Sequence, residues 1–432
     1  MTTADTKERI KKVILKYRQL APTQLFPRDL ELHESGFDKA DVIVGPRKAG
    51  KSTYLFQHIK KHPEREWVLI NFEDNLLGEI KQNELQDIVD CAKELYPGKK
   101  LTFFFDEIQV VQGWERFIIS ILNEHHRIIV TGSNSRLLSK EIATSLRGKS
   151  LSWLLLPFSF KEYLRVNGVA VKPGYEYTDK TFEIKKRFSE YFACGGFPEI
   201  VLSNSELIRN KLFNNYFDSV LYSDLAERLK LKNVRLITIT IKYLLNRFSN
   251  TFSITTFENY LKSNKIPYSL EDIYLILKSL EDVFLAGYVR EYLKSYKKTE
   301  VSKAKVYLFD VGYIHYLALE SDDRGRILEN IVFVELFRRS DKVENDSIYY
   351  CKSERGAECD FIVLDKGKPS QAIQVTLILN PANQEREITG LLETMKKFNF
   401  QEGIILTWDQ NEELTMEGKK IHVLPVWKWL LA

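Results

Sequence analysis

The sequence is poor in cysteine, which limits the kinds of structural site it can build. Only four cysteines occur in 432 residues, namely Cys91, Cys194, Cys351 and Cys359, and no two of them form a C-x-x-C pair. The seven histidines do not cluster near them, so neither a disulfide framework nor a structural zinc site is expected. We expect four buried free thiols in a cytoplasmic protein.

Long apolar runs and an excess of one charge are also lacking. The longest apolar stretches, such as Trp153 to Phe158, fall far short of the roughly 20 residues that span a bilayer. The first twenty residues are charged throughout and do not resemble a secretory signal, so we expect no membrane segment. The net charge of +4 is weak, so a nucleic-acid surface would have to be local.

Short apolar runs alternate with polar segments that are compatible with helices. These runs occupy residues 41–45, 67–74, 101–107 and 127–133. Buried strands that alternate with helices predict βαβ units and a parallel sheet, so the fold class is α/β. A single core rarely exceeds roughly 250–300 residues, and several domains are therefore expected. We predict an N-terminal helical arm (1–35), a first α/β domain (36–165), a helical segment (166–232), a winged helix-turn-helix (233–322) and a C-terminal α/β domain (323–432).

A phosphate-binding loop is predicted directly after the first strand. The segment 45–52 matches G-x-x-x-x-G-K-S/T at every fixed position and precedes a predicted helix, which is the context that the motif requires. Backbone N–H groups of such a loop surround phosphate oxygens, while the lysine reaches the β and γ phosphates and the hydroxyl binds Mg²⁺. The predicted nucleotide-binding residues are Gly45, Pro46, Arg47, Lys48, Ala49, Gly50, Lys51, Ser52 and Thr53.

A second motif, which is acidic, ends the third apolar run. Phe103 to Phe105 are followed by Asp106 and Glu107. Asp106 lies 55 residues after Lys51. An aspartate in this position supplies the carboxylate that holds Mg²⁺ together with Ser52. The adjacent glutamate is suited to polarise the attacking water as a general base. The sequence therefore predicts Mg²⁺ and a hydrolytic site.

The fourth run ends in polar residues that could orient water or sense the γ-phosphate. Ser133 and Asn134 are both candidates, and a simple polar turn is the alternative for each. An arginine finger, which stabilises charge on the transferred phosphoryl group, would come from this chain or from a neighbouring copy in a homo-oligomer. Arg136, Arg147 and Lys149 follow the run, and Arg147 is the predicted catalytic residue.

With these motifs, the chain resembles a family of archaeal and bacterial AAA+-type, STAND-like P-loop ATPases. The resemblance extends over nearly the whole sequence and depends most on GPRKAGKST (45–53) and FFFDEIQVVQGWE (103–115), with GGFPE (195–199) and VLPVWKWLL (423–431) further along. It implies ATP as the nucleotide and a C-terminal domain of mostly unknown function. The family often has arginine where this chain has Lys149, and lysine lacks the planar fork of arginine.

The resemblance also implies a restriction-endonuclease-like fold for the last domain. Such nucleases use an acidic helix residue, then an aspartate and a (D/E)-x-K motif on adjacent strands. Glu329 or Glu335 matches the helix acid and Asp360 the first strand position, but Gln374 and Thr376 stand where the second acid and the lysine are expected. Nuclease activity is therefore not expected.

A basic segment lies between the two predicted strands of the winged helix. It contains two acids, Glu291 and Glu300, against six cations, which are Arg290, Lys294, Lys297, Lys298, Lys303 and Lys305. A basic hairpin of this kind could contact DNA phosphates. The presumed recognition helix, 270–282, has no Arg, Asn or Gln to read bases, so contact through the 290–305 wing would be non-specific. A solvated loop is the alternative.

Three functions follow from these patterns. The first is an ATPase that couples the state of bound Mg·ATP to the winged helix and C-terminal domain and that could act on DNA. The second is a slow switch that holds ATP and gates a protein partner. The third is an ATP-regulated nuclease, in which Glu358 or Lys352 would replace the missing groups.

Overall fold

A computed structural model gives the fold of the chain. It describes residues 3–20, 24–32, 37–132, 146, 148–226, 229, 234–293, 295, 297, 299, 302–317, 323–340, 342, 344–353 and 356–432. Contacts between Cα atoms divide the chain into unit one, residues 1–156, and unit two, residues 157–432. The five predicted segments stay a prediction.

Unit one is an α/β unit with five strands. Its helices are α1 (Thr3–Gln19), α2 (Lys51–Lys61), α3 (Leu85–Leu95) and α4 (Trp114–Asn123), with short 3₁₀ turns at Gln82–Glu84 and Ile108–Val110. Its strands are β1 (Ala40–Val44), β2 (Glu66–Asn71), β3 (Leu101–Asp106), β4 (Arg127–Gly132) and β5 (Ser150–Leu154).

The five strands of unit one form a parallel sheet in the order β2-β3-β4-β1-β5. The four predicted apolar runs are β1 to β4, which confirms the predicted parallel sheet. β1 and β3 are buried along their whole length, as expected when helices cover both faces. The edge strand β5 was not predicted as a strand, because its residues are only half-buried and mix serine with apolar side chains.

Helix α1 belongs to unit one, where it packs against α3 and β2. The Nζ atom of Lys16 lies 2.6 Å from Asp74 Oδ2, and the Tyr17 hydroxyl donates a hydrogen bond to the same oxygen at 2.9 Å. Arg18 pairs with Glu66 at the start of β2. The N-terminal helix is therefore fixed to the sheet by side chains from its last turn.

Unit two contains helices at its start and a large mixed sheet. The helices are α5 (Phe160–Val166), α6 (Lys180–Cys194), α7 (Pro198–Val201), α8 (Glu206–Ser219), α9 (Val234–Leu245), α10 (Ile254–Ser263), α11 (Leu270–Asp282), α12 (Gly312–Tyr316), α13 (Arg324–Arg339), α14 (Gln384–Phe398) and α15 (Val426–Trp429), with a 3₁₀ turn at Tyr175–Tyr177 and a π-helical turn at Val220–Ala226. The strands are β6 (Asn250–Phe252), β7 (Ala286–Glu291), β8 (Ala304–Leu308), β9 (Ile348–Lys352), β10 (Glu358–Asp365), β11 (Lys368–Val375), β12 (Glu402–Thr407), β13 (Glu412–Met416) and β14 (Lys419–Pro425).

The hairpin that was predicted as a wing is part of this sheet. The strand order is β13-β14-β12-β11-β10-β9-β7-β8-β6. The parallel pairing of β7 with β9, through Arg290 with Tyr349 and Glu291 with Tyr350, joins the hairpin to the C-terminal strands. The segments predicted as separate domains, 233–322 and 323–432, thus contribute to one continuous sheet. The winged helix stays a prediction.

Two other expectations concern the cysteines and membrane-spanning helices. All four cysteines are buried free thiols, as expected. Among the described residues, no helix combines the length and apolar character needed to cross a membrane.

A glycine turn in unit two is built around a buried carboxylate. Asp310 Oδ2 accepts a hydrogen bond from Gly196 N at 2.7 Å, and its Oδ1 accepts one from Gly312 N at 2.8 Å. Burial raises the pKa of Asp310 to about 7, although both hydrogen bonds lower it. Gly195 has φ 73° and ψ −162°, a region that only glycine adopts readily. A Cβ atom on Gly195 would lie 1.9 Å from Asp310 Oδ1.

We expect Gly195→Ala to destabilise unit two by about 3 kcal/mol or more, because the added methyl group meets a carboxylate that two backbone N–H groups hold in place. Gly168→Ala is the matched control. Its φ is +76° and nothing lies within 4 Å of the added Cβ atom, so the cost should be about 1–2 kcal/mol from backbone strain alone. Urea unfolding measures both, and equal losses in the two variants would contradict the importance of the Asp310 contact.

Candidate functional site

The predicted phosphate loop lies where the chain passes from β1 to α2. Gly50, which has φ 94°, ends the loop, and α2 begins at Lys51. A Cβ atom on Gly45 would lie 1.9 Å from the carbonyl oxygen of Leu155, so only glycine fits at the start of the loop. The first turn of α2 adjoins the loop, and the first turn of a helix favours an anion.

Lys51 and Ser52, the first two residues of α2, differ in their exposure to solvent. Lys51 is buried, and its Nζ atom donates hydrogen bonds to the carbonyl oxygens of Gly45 and Pro46, each at 3.0 Å. The ammonium group is thus held inside the curve of the loop, where phosphate oxygens would bind. Ser52 is exposed, and its side chain interacts with Asp106, whose pKa it lowers.

Asp106 is the last residue of β3 and is buried at the meeting point of three strand ends. Its Oδ2 accepts a hydrogen bond from Asn71 Nδ2 at 3.0 Å, and its Oδ1 accepts one from the Thr131 hydroxyl. Burial raises the pKa of Asp106, while Thr131, Ser52 and Lys51 lower it, and the balance is upward. These donors all stabilise the ionised form, which is the form that binds a cation.

Glu107 adopts a left-handed backbone conformation with φ 55° immediately after β3. Its backbone N donates a hydrogen bond to the Thr131 hydroxyl at 3.3 Å. Its carboxylate accepts a close hydrogen bond from the amide of Gln109. The predicted general base is therefore next to Asp106 and is engaged by a neutral side chain from the following turn.

Mg²⁺ fits the donors that meet at this edge of the sheet. The Asp106 carboxylate and the Ser52 hydroxyl are both hard oxygen ligands. Over the ranges that the structure describes, no three or more His, Cys, Asp and Glu side chains are grouped so as to hold a metal ion. A magnesium ion at Asp106 would therefore take its remaining ligands from phosphates and water, as is usual for this ion.

The other predicted residues divide into two groups. Ser133, Asn134, Arg136 and Arg147 lie outside the described residues. Lys149 is described, and its Nζ atom lies 2.7 Å from Asn123 Oδ1. It precedes β5, which runs parallel to β1, so it lies at the opposite edge of the sheet from the phosphate loop. The structure does not bring Lys149 to the loop of its own chain.

Three residues at the site were missed by reasoning from the sequence. Asn71 is the last residue of β2 and Thr131 is the last but one of β4, so the signal that marks Asp106, a polar residue near a strand end, could have found them. Arg28 is buried and its Nη1 donates to the carbonyl oxygen of Ala49 at 2.8 Å. No motif marks Arg28, because only the fold brings this segment to the loop.

Three family profiles cover most of the chain. An AAA domain matches residues 38–164, a domain of unknown function (DUF8612) matches 185–324, and a second one (DUF4143) matches 324–429. The uncharacterized protein MJ1544 of Methanocaldococcus jannaschii is 37% identical over 99% of this chain and 96% of its own length. The chain belongs to a family of AAA+ P-loop ATPases. An uncharacterized protein of Haemophilus influenzae is 29% identical over 91% of this chain and 94% of its own.

The solved structures that match this chain are only distantly similar to it. Cdc6p from Pyrobaculum aerophilum matches 76% of this chain and 94% of its own at 10% identity, with a TM-score of 0.25. The Hsp104–ADP complex of S. cerevisiae matches 66% of this chain and 39% of its own at 14% identity, with a TM-score of 0.28. Scores this low carry no argument. The AAA+ assignment depends on the AAA domain match and on the site itself.

We expect Thr131→Val to weaken Mg·ATP binding by roughly tenfold or more, since it removes a hydrogen bond to a buried carboxylate that is worth about 1.5–3 kcal/mol. Thr131→Ser keeps the hydroxyl and is the matched control. Titration with a fluorescent ATP analogue in the presence of Mg²⁺ measures both variants. If the valine variant binds as tightly as the serine variant, Thr131 does not position Asp106.

Proposed function

We propose that this AAA+ protein binds Mg·ATP and hydrolyses it. The observation that supports this best is the interaction of Ser52, the first residue after the loop lysine, with Asp106 at the end of β3, which lowers the pKa of that carboxyl. The two predicted metal ligands thus come together from α2 and β3, beside the buried ammonium of Lys51.

Each residue has a distinct role in this proposal. Lys51 binds the β and γ phosphates, and Ser52 and Asp106 hold the magnesium ion. The bound ion would neutralise charge that develops on the phosphates. Glu107 accepts a proton from the attacking water. Ser133 or Asn134 would orient that water, and Arg147 would be the finger, supplied within the chain or by a second copy.

We propose that ATP binding and hydrolysis change which partner unit two binds. The protein would act in the cytoplasm. Non-specific DNA contact through the segment 290–305 remains one proposal for the partner. Among the described cations of this segment, Lys297 and Lys303 are exposed and Arg290 is half-buried, whereas Lys305 is buried. Of the cations that the structure describes in this segment, Lys297 and Lys303 are therefore the exposed ones that could contact DNA, and Lys305 is not.

A nucleotide switch with slow turnover is the second candidate, and one contact favours it. Gln109 donates its amide N–H to the Glu107 carboxylate, and this hydrogen bond competes with the bond that a general base makes to water. Hydrolysis would then wait for a partner that moves Gln109 away, and the bound nucleotide would persist until that partner arrives.

Glu107→Gln separates these candidates. The variant should retain ATP affinity and lose about 10²–10⁴-fold in turnover, since the amide cannot accept the proton. Glu94→Gln is the control, because Glu94 lies on α3 and pairs with Lys11 at the surface. Phosphate release with and without duplex DNA is the measurement.

The wild-type rates then identify the candidate. Turnover that depends on Glu107 and rises with DNA supports a DNA-acting ATPase, and turnover indifferent to DNA supports a protein partner. Tight ATP binding with negligible turnover supports the switch. Equal rates in wild type and Glu107→Gln would remove Glu107 as the base.

A second experiment tests the DNA surface directly. If the segment contacts DNA, Lys297→Gln with Lys303→Gln should weaken binding equally for all sequences and reduce the slope of log K against log salt by about two. Lys366→Gln with Lys368→Gln, in the exposed β10–β11 hairpin of the same unit, is the matched control. Equal binding by the two double variants would exclude Lys297 and Lys303 as DNA contacts.

A further inference from the structure

Two of the four cysteines face each other across neighbouring strands of unit two. Cys351 of β9 and Cys359 of β10 are direct partners in the antiparallel pairing of these strands. Directly opposite residues project from the same face of a sheet, with Cα atoms about 4.5 or 5.5 Å apart. Both separations lie within the range of roughly 4.4–6.8 Å that a disulfide bridges. The register alone therefore brings the two thiols within reach of a bond.

Helix α14 covers both thiols. It packs against β9 and β10, and both cysteines belong to an apolar core that also contains Leu391 of this helix. The Lys397 ammonium donates a hydrogen bond to Cys351 Sγ at 3.2 Å, and Thr394, one turn earlier, interacts with the Cys359 thiol. The two sulfur atoms thus meet neighbouring turns of one helix, which places them on the same face of the sheet independently of the strand register.

The two thiols have different surroundings. Cys351 is buried, but the Lys397 side chain that contacts its sulfur is exposed, so this sulfur lies next to a group that reaches solvent. An ammonium donor stabilises the negative charge that a sulfur carries as it attacks an electrophile. Burial raises the pKa of Cys359, with further contributions from Asp360 and Cys351, and Cys359 therefore keeps its proton. Cys351 is thus the thiol suited to react first.

The pair also lies near one end of the paired strands. Lys352 and Glu358 form the next pair, and the register of β10 against β9 shifts immediately after Cys359 on the other side. Strand ends open at a lower free energy than the centre of a sheet. A small oxidant can therefore reach Cys351 through local opening, without unfolding of unit two.

We propose that Cys351 and Cys359 form an oxidation site, at which a peroxide converts the two thiols into a disulfide and the Lys397 ammonium assists the attack by Cys351. The site lies in unit two and does not depend on the proposed ATPase site. Disulfides in cytoplasmic proteins are usually transient and redox-sensing, so we expect this bond to form reversibly rather than to be a permanent part of the fold.

The reaction has two balanced steps when hydrogen peroxide is the oxidant. The Cys351 sulfur attacks one oxygen and the O–O bond breaks, which leaves a sulfenic acid on Cys351, while the other oxygen takes up the Cys351 proton and leaves as water. The Cys359 sulfur then attacks the sulfur of the sulfenic acid, and the hydroxyl group leaves with the Cys359 proton as a second water. The thiols together lose two electrons and two protons, and the peroxide is reduced to water.

The test uses the full-length protein without nucleotide, which is reduced, freed of reductant and then exposed to hydrogen peroxide. At timed intervals the remaining thiols are alkylated, and the chain is digested and mapped by mass spectrometry without reduction. We expect the peptides that contain Cys351 and Cys359 to become joined, with the loss of two hydrogen atoms, and to separate again when a thiol reductant is added. Cys194, which is buried in a helix of the same unit, is the internal control and should keep its free thiol.

Two variants assign the order of the steps. Cys359→Ala should undergo the first step alone, so that dimedone, which labels sulfenic acids, marks Cys351. Cys351→Ala should leave Cys359 reduced. The proposal is overturned if Cys351 stays reduced in the wild-type chain or joins a cysteine other than Cys359. It is also overturned if the rate does not rise with peroxide concentration, because oxidation would then wait for the chain to unfold.

Lys397→Met tests the part that the ammonium plays. It should slow disulfide formation by roughly tenfold or more, because it removes the donor that stabilises charge on the attacking sulfur. Lys396→Met is the matched control, since Lys396 is the adjacent residue of α14 and pairs with Glu417 instead. Thermal unfolding of both variants checks that the fold is retained. Equal rates of oxidation in the two variants would remove Lys397 from the reaction.

A cysteine variant that fails to fold does not leave the question open. The mapping of the wild-type chain and the two lysine variants require no change in the core. A joined Cys351–Cys359 peptide that forms faster with more peroxide supports the proposal without the cysteine variants. Absence of that peptide from the folded wild-type chain overturns the proposal, whatever the variants do.

Discussion

The insertion of β4 between β1 and β3 is the constraint on which the candidate nucleotide site depends. The carboxyl ends of parallel strands meet at one edge of the sheet, so this order places Thr131 between the loop that follows β1 and the acidic motif that ends β3. One hydroxyl then contacts both the Asp106 carboxylate and the backbone N of Glu107. The proposed metal ligand and the proposed base are fixed by the same side chain, so their positions are not independent.

Unit two depends on a different constraint, the compensation of buried charge. Its sheet is joined between β7 and β9 by pairing at only two residue pairs. Lys305 adds a second connection, because an ammonium from β8 contacts carboxylates on α13 and β10. Breaking a buried ion cluster costs more than breaking a surface pair. The hairpin therefore cannot separate from the C-terminal strands without exposing uncompensated charge.

Local signals predicted the strands of unit one and the phosphate loop, because continuous apolar runs and a fixed motif report directly on buried parallel strands and on a glycine turn. These local signals did not predict that Lys305 is buried among carboxylates. A count of cations along the chain shows where charge is concentrated, but it does not show which side chains meet carboxylates that lie 24 and 55 residues away. Arg28 was missed for the same reason, since its partner at Ala49 is a backbone carbonyl that only tertiary structure brings near.

Both groups that the proposed chemistry needs are already bonded within the chain. The Lys51 ammonium donates to two carbonyl oxygens of its own loop, and the Glu107 carboxylate accepts from Gln109. A nucleotide that enters the loop can replace the first set, because phosphate is a stronger acceptor for an ammonium than a neutral carbonyl. The nucleotide does not replace the hydrogen bond between Gln109 and Glu107, because Gln109 donates that bond to Glu107 and not to a phosphate. Binding and hydrolysis would then have separate requirements, and a partner that alters the turn at 108–110 would control hydrolysis without changing affinity for the nucleotide.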